Sequence, residues 1–211
     1  MTRSFLFALP ILLGPLLSFG QAVPDREYAE DYCDRVAALD ISTLSTGELS
    51  GALQRIAQQA SVANAQAMNE ARNAIRRANP EYSGTNVERD FNLRLTEALM
   101  DQCEAYLSAS RALFGPCPKD NKLFALQLKE VDAIIEQYQH LPYAQQLEKV
   151  DYQLITLMFD NDQLVPPDYS NGVEDPQFLD DASVYLIHKS LSYYKLLALG
   201  GLMQMFDEAG Q

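Results

Sequence analysis

Apolar side chains recur along most of this chain at steps of three and four, the spacing that stacks them on one face of an α-helix. Runs that alternate apolar and polar residues with the Val, Ile and Thr content of a strand are nearly absent. The pattern predicts an all-α fold, a bundle of about six helices. A short first helix covers about 25–39, with Tyr28, Tyr32, Val36 and Leu39 along one face. Ser45 and Glu48 have capping-box spacing and open a second helix that runs to Asn79, where Pro80 stops it. At 1.5 Å per residue this rod is about 50 Å long. Its seam is Leu49, Leu53, Ile56, Ala60, Ala63, Ala67, Ala71, Ala74 and Ala78, with two successive steps of four after Ala63 acting as a stutter. Thr85 and Glu88 repeat the box and open a third helix ending near Phe114, before Gly115 and Pro116. Together the second and third helices form a long N-terminal hairpin, closely packed along its alanines.

Further on, Asp120 or Asn121 caps a fourth helix to about Leu141, and Pro142 suits the first turn of a fifth that reaches Phe159. Residues 160–177 are one long irregular crossover, with Pro166, Pro167, Asn171–Gly172 and Pro176. Asp175 caps the last helix, which runs towards Phe206. From Leu191 onward it is apolar nearly all round, which places it at the centre of the bundle. Gly200–Gly201 suits a close helix crossing.

The N-terminus breaks this pattern. Arg3 precedes an uncharged apolar run, 5–19, that contains Pro10, Gly14 and Pro15 and leads to the small residues Gly20 and Ala22. That order is a secretory signal peptide. Two prolines are incompatible with a buried helix, and the run falls short of the roughly 20 apolar residues of an anchor. The expected organisation is a signal peptide over 1–22 and a single helical-bundle domain over 23–211, in a periplasmic or secreted location. Lys189 and Lys195 interrupt the apolar part of the last helix, so no stable membrane span is expected after cleavage.

Charge and cysteine content narrow the partners and the chemistry. With 16 basic and 29 acidic residues the net charge is −13, which repels nucleic acid and anionic lipid headgroups and leaves a basic protein partner, or solubility alone. Three cysteines, Cys33, Cys103 and Cys117, in an exported chain imply one disulfide and one thiol. Reflecting the level of Cys33 through turns near 43 and 83 arrives near residue 113, which predicts a Cys33–Cys117 bond and a buried Cys103.

Catalytic and metal signatures are missing from the sequence. The two histidines, His140 and His188, lie in no zinc or haem motif, and Glu136–His140 lacks the spacing of di-iron bundles. Nucleophile elbows and phosphate-cradling glycine loops are also absent. Asp180–Asp181 sits where negative charge favours a helix N-terminus. The crossover gathers Asp160, Asn161, Asp162, Asp168, Asn171, Glu174 and Asp175, oxygens that calcium favours, but Leu164 stands where a third ligand belongs. Gln54, Gln58, Gln59, Asn64, Gln66, Asn69 and Asn73 give the second helix an amide-rich side, a docking face or a water-facing one. The expectation is therefore an exported, non-catalytic helical interaction protein: an adaptor, an inhibitor or immunity-type protein, or a secretion accessory. It would have no cofactor, no metal ligand and no catalytic residue. A periplasmic small-ligand or lipid-binding bundle, with a cavity among the tyrosines and methionines of the last helix, is the alternative. An enzyme whose site is assembled from distant segments is the second.

Overall fold

Helix starts in this chain coincide with side-chain oxygens that take up otherwise free N–H groups. Ser45 Oγ accepts from Glu48 N while the Glu48 carboxylate accepts from Ser45 N at 2.9 Å, a complete capping box. The Ser45 hydroxyl, donating to the Glu48 carboxylate at 2.6 Å, and then the Ser45 N–H hold that carboxyl below its ordinary pKa. Asn121 Oδ1 accepts from Phe124 N, and Asp175 Oδ1 from Gln177 N with Pro176 in the first turn. The hairpin's second arm is capped by Ser83, whose Oγ accepts from Asn86 N at 3.2 Å. Thr85, expected to cap it, lies inside the first turn.

The computed structural model describes residues 24–209. The leader assigned to 1–22 lies outside them, as do the ends of the 23–211 domain. Among the described residues the fold is an all-α bundle of nine helices without strands: α1 (Pro24–Ala37), α2 (Thr46–Ala63), α3 (Ala65–Ala78), α4 (Gly84–Gln102), α5 (Glu104–Ala112), α6 (Lys122–Tyr138), α7 (Tyr143–Asp160), α8 (Pro176–Lys189) and α9 (Leu191–Ala209). Short 3₁₀ turns occupy Ile41–Thr43, Asp162–Leu164 and Gly172–Glu174. The six expected rods are recognisable, but the second, third and last are each interrupted by one residue: Asn64, Cys103 and Ser190.

Each interrupting residue satisfies both helix ends that it separates. Asn64 N donates to Ala60 O, Asn64 O accepts from Met68 N, and the side-chain amide donates again to Ala60 O and to Asp31 Oδ2. Cys103 bonds Leu99 O and Leu107 N in the same way, and its Sγ accepts from Tyr106 N. Ser190 bonds Leu186 O and Tyr194 N, and its Oγ accepts from Tyr193 N. The direction of each rod changes with few backbone groups left unpaired. Beyond Asn64 the buried stripe is Met68, Ala71 and Ile75, whereas Ala63, Ala74 and Ala78 are exposed. Beyond Ala60 the predicted alanine seam keeps only Ala71 fully buried, because the larger Met68 and Ile75 gain more from leaving water.

Three packed clusters form the core. The first joins α1–α5 around Tyr28, Leu53, Phe91 and Leu99. The second joins α4, α6, α7, α8 and α9 around Met100, Val150, Leu154 and Leu186. The third packs the crossover against α6, α7 and α8 through Phe124, Met158, Val173 and Phe178. Tyr106 bridges the first two clusters and Leu128 the last two. As expected, α9 is central, lying against α7, α4, α8 and α6. Gly200 permits its closest approach: a Cβ there would stand 2.8 Å from Leu147 Cδ2 and 3.2 Å from Tyr143 O.

The disulfide joins Cys33 to Cys103, with Cα atoms 5.6 Å apart, and not to Cys117, which is a free, exposed thiol. The expected Cys33–Cys117 pairing assumed straight rods and an α1 lying along α2 alone. In the structure α1 lies against α2, α3, α4 and α5 together. Asp31 meets the break at Asn64, so α1 is carried to the corresponding break at Cys103. Cys117 lies beyond the end of α5.

Two measurements check this arrangement. Peptide mapping of the unreduced protein should recover Cys33 linked to Cys103. The Cys33→Ser/Cys103→Ser double variant should lose about 4 kcal/mol, or roughly 10 °C in Tm, because the bond closes a loop with a sequence separation of 70. Cys117→Ser should leave Tm unchanged. Gly200→Ala should cost about 1–3 kcal/mol by overpacking against Leu147. Gly201→Ala, with nothing within 4 Å of the new Cβ, should be neutral or stabilising by up to about 1 kcal/mol.

Candidate functional site

The acidic and histidine groups singled out in the sequence stay apart in the fold. Among the described residues no three His, Cys, Asp or Glu side chains converge as a metal site would require. Helix α6 ends at Tyr138, so exposed His140 lies in the following turn and shares no helix face with Glu136. In the crossover, Asp160, Asp162, Asp168, Asn171 and Glu174 are exposed, Asn161 donates to Leu157 O, and Asp175 is taken up by its cap. The loop is held down by Leu164, Val165, Tyr169 and Val173, and Tyr169 O–H donates to Asp181 Oδ2 at 2.7 Å. Asp181 thus receives a tyrosine, while Asp180 points to solvent. Of the α9 tyrosines, Tyr193 and Tyr194 are buried, and Tyr194 meets the edge of Phe114. The amide-rich side of α2 and α3 is water-facing at Gln54, Gln58, Gln59, Gln66, Asn69 and Asn73.

Two surface features stand out that periodicity did not single out. The first is the outer side of α7. Its inner side buries Gln146, Leu147, Val150, Leu154 and Met158. On the opposite side Tyr152, Ile155 and Phe159, at helical steps of three and four, are 66%, 42% and 50% exposed. Helix α7 is amphipathic in the usual sense and carries a second apolar stripe with no partner among the described residues. Scattered apolar exposure is ordinary; three large side chains on one line are not. The stripe is bounded by exposed Glu148 at one end and by Asp160 and Asp162 at the other, and Lys149 is the sole basic residue of α7.

The helix that carries the stripe is firmly anchored. Gln146 Nε2 donates to Ile135 O, Tyr143 O–H to Glu97 Oε1 at 2.8 Å, and Tyr193 O–H to Asp151 Oδ1 at 3.0 Å. Tyr143 is pushed up to about 12, first by burial and then by Glu97, so it remains a donor at any ordinary pH. Burial raises the Asp151 carboxyl above its usual value, against the smaller opposing effect of the Tyr193 bond.

The second feature is an open cleft of about 1000 Å³ between the Ile41–Thr43 turn, α5 and the C-terminal end of α8. Ile41, Leu44, Leu107 and Pro116 supply its apolar wall, and Ser42, Thr46 and Ser108 supply hydroxyls. Arg111 and His188 stand in it with Glu104. His188 Nε2 donates to Gly115 O at 3.0 Å. Gly115 has φ +85°, a left-handed conformation that a side chain would strain, and this turn presents its carbonyl to the histidine. The Arg111 guanidinium lies 5.4 Å from the Tyr194 ring centre, and its buried Nε has no hydrogen-bond partner.

No protein-family model, curated protein or solved structure matches the chain.

The raised Asp151 carboxyl makes a signed prediction. Its folded form binds a proton more readily than the unfolded chain, so stability falls as pH rises from the unfolded pKa through the raised folded one. Asp151→Asn keeps an acceptor for Tyr193 and removes the buried charge. Its Tm should exceed that of the parent by about 1–3 °C at pH 7 and match it near pH 3. A lower Tm at pH 7 would contradict burial as the dominant effect.

Proposed function

We propose that this chain acts outside the cytosol as a non-catalytic interaction protein that takes an amphipathic, basic helix of a partner protein on the outer side of α7. The observation that carries the proposal is the line of Tyr152, Ile155 and Phe159, each more than two-fifths exposed on a helix whose opposite side is already buried. Side chains at i, i+3 and i+7 are the anchors by which one helix receives another. Aromatic groups dominate such contacts because they bury much area at little conformational cost.

Charge selects the occupant. Exposed Glu148, Asp160 and Asp162 outnumber Lys149 at the ends of the stripe, and the chain as a whole carries −13. A second copy would bring like charges together, whereas Lys or Arg flanking an apolar helix would be attracted and steered. The disulfide and the leader-like first 22 residues both favour an oxidising compartment outside the cytosol.

Site-specific photocrosslinking in the native cell envelope tests the proposal. A photoreactive residue at Tyr152 or Phe159 should capture one partner through an apolar segment flanked by Lys or Arg, and Ile155→Asp should abolish that capture without changing Tm. The same probe at Gln58, on the amide-rich side, should capture nothing. Capture at Gln58 alone, capture of a second copy at Tyr152, or no crosslink from α7 would overturn it.

A further inference from the structure

We infer that the cleft between the Ile41–Thr43 turn, α5 and α8 binds a small monocarboxylate, with its carboxylate on Arg111 and its apolar body on Ile41, Leu44 and Leu107. The site is separate from the α7 stripe, and either proposal stands if the other falls.

Arg111 is the anomalous group. Among the described residues Arg111 forms no ion pair, and unlike Arg55, Arg76, Arg77 and Arg94, which also form none and are exposed, it is half-buried. Its Nε is buried and donates to nothing. The Tyr194 ring, 5.4 Å away, orients the guanidinium by a cation–π contact. A buried donor left unpaired costs free energy, and a planar guanidinium is the best match among side chains for a carboxylate fork. The sealed Nε is out of a ligand's reach, so the two Nη groups, which donate to no protein acceptor among the described residues, are the fork that the cleft can use.

The rest of the cleft sets what accompanies the carboxylate. Its volume, about 1000 Å³, holds a small organic molecule. Ile41 and Leu44 come from one wall and Leu107 from the other, so an apolar body would be covered on two sides. Glu104 lines the same cleft two helical turns before Arg111, roughly 10 Å along the axis. A second negative group at that end would meet Glu104 and the net charge of −13, which selects one charge over two. His188 Nε2 is engaged with Gly115 O, and Arg111 is the one arginine or lysine that lines the cleft.

An NMR titration of the full mature chain tests the inference, with straight-chain carboxylates from butanoate to octanoate and 3-phenylpropionate as probes. The matching alcohols and the dicarboxylate adipate serve as controls. Saturable shifts of the Leu107, Ser108 and Arg111 amides are expected with the monocarboxylates, strengthening with chain length, and at least tenfold weaker binding with alcohols and adipate. Ser108→Asp places a rival carboxylate one turn from Arg111 at an exposed position. It should weaken binding at least tenfold with Tm unchanged, and Arg111→Lys, which keeps the charge and loses the fork, should weaken it too. Absence of saturable shifts across the series, equal affinity for the alcohols, or full affinity in Ser108→Asp would overturn the inference.

Discussion

The Cys33–Cys103 bond fastens the first helix to the one point where the third rod changes direction. Cys103 belongs to neither α4 nor α5, and its extended backbone turns its sulfur towards α1. With the bond in place α1 touches α2, α3, α4 and α5, so one short helix closes the N-terminal half of the bundle. Tyr28 and Tyr32 on α1 then stack on each other, and Tyr32 meets the edge of Tyr106, which leads into the second cluster. Burial pushes Tyr32 up to about 12 and Tyr106 higher still, so these rings remain neutral and apolar in use.

The two other interruptions obey the same physics with different chemistry. Asn64 closes its break with an amide that donates to a carbonyl one turn back, and Ser190 does so with a hydroxyl that accepts from one turn ahead. Short polar side chains suit such places because they replace the missing main-chain bond locally. The break at Ser190 lets α9 leave the direction of α8 and cross α7 at Gly200, where any side chain would collide with Leu147. The Lys195–Asp101 pair at 2.7 Å and the Tyr143–Glu97 bond then tie α9 and α7 to α4, joining the two halves of the molecule.

What the surface offers follows from what the core has used. Helix α7 spends one side on the core and retains Tyr152, Ile155 and Phe159 on the other. Arg111 spends its face on Tyr194 and retains its hydrogen-bond donors. Both are unspent capacity that folding alone does not explain. The crossover's acids show the contrast: they are numerous and exposed, but they diverge, because the loop is oriented by its apolar residues packing onto Phe178 and Met158.

Periodicity determined the helical class, the helix-rich hairpin, the central last helix and most helix starts, because those depend on local spacing and local hydrogen bonds. Capping by Ser45 and Asp175 is legible for that reason, and the cap of α6 is legible to within Asp120 or Asn121. The single-residue breaks were not, since the hydrogen bonds on either side of Asn64, Cys103 and Ser190 preserve the count of three and four across them. The disulfide partner was misread as a consequence, because levels measured along straight rods fail once the rods bend. The outer stripe of α7 was visible as residues but not as a surface, since a helix apolar on two sides reads as merely buried. Only the packing of α9 and α6 against the inner side decided which stripe would be left in water.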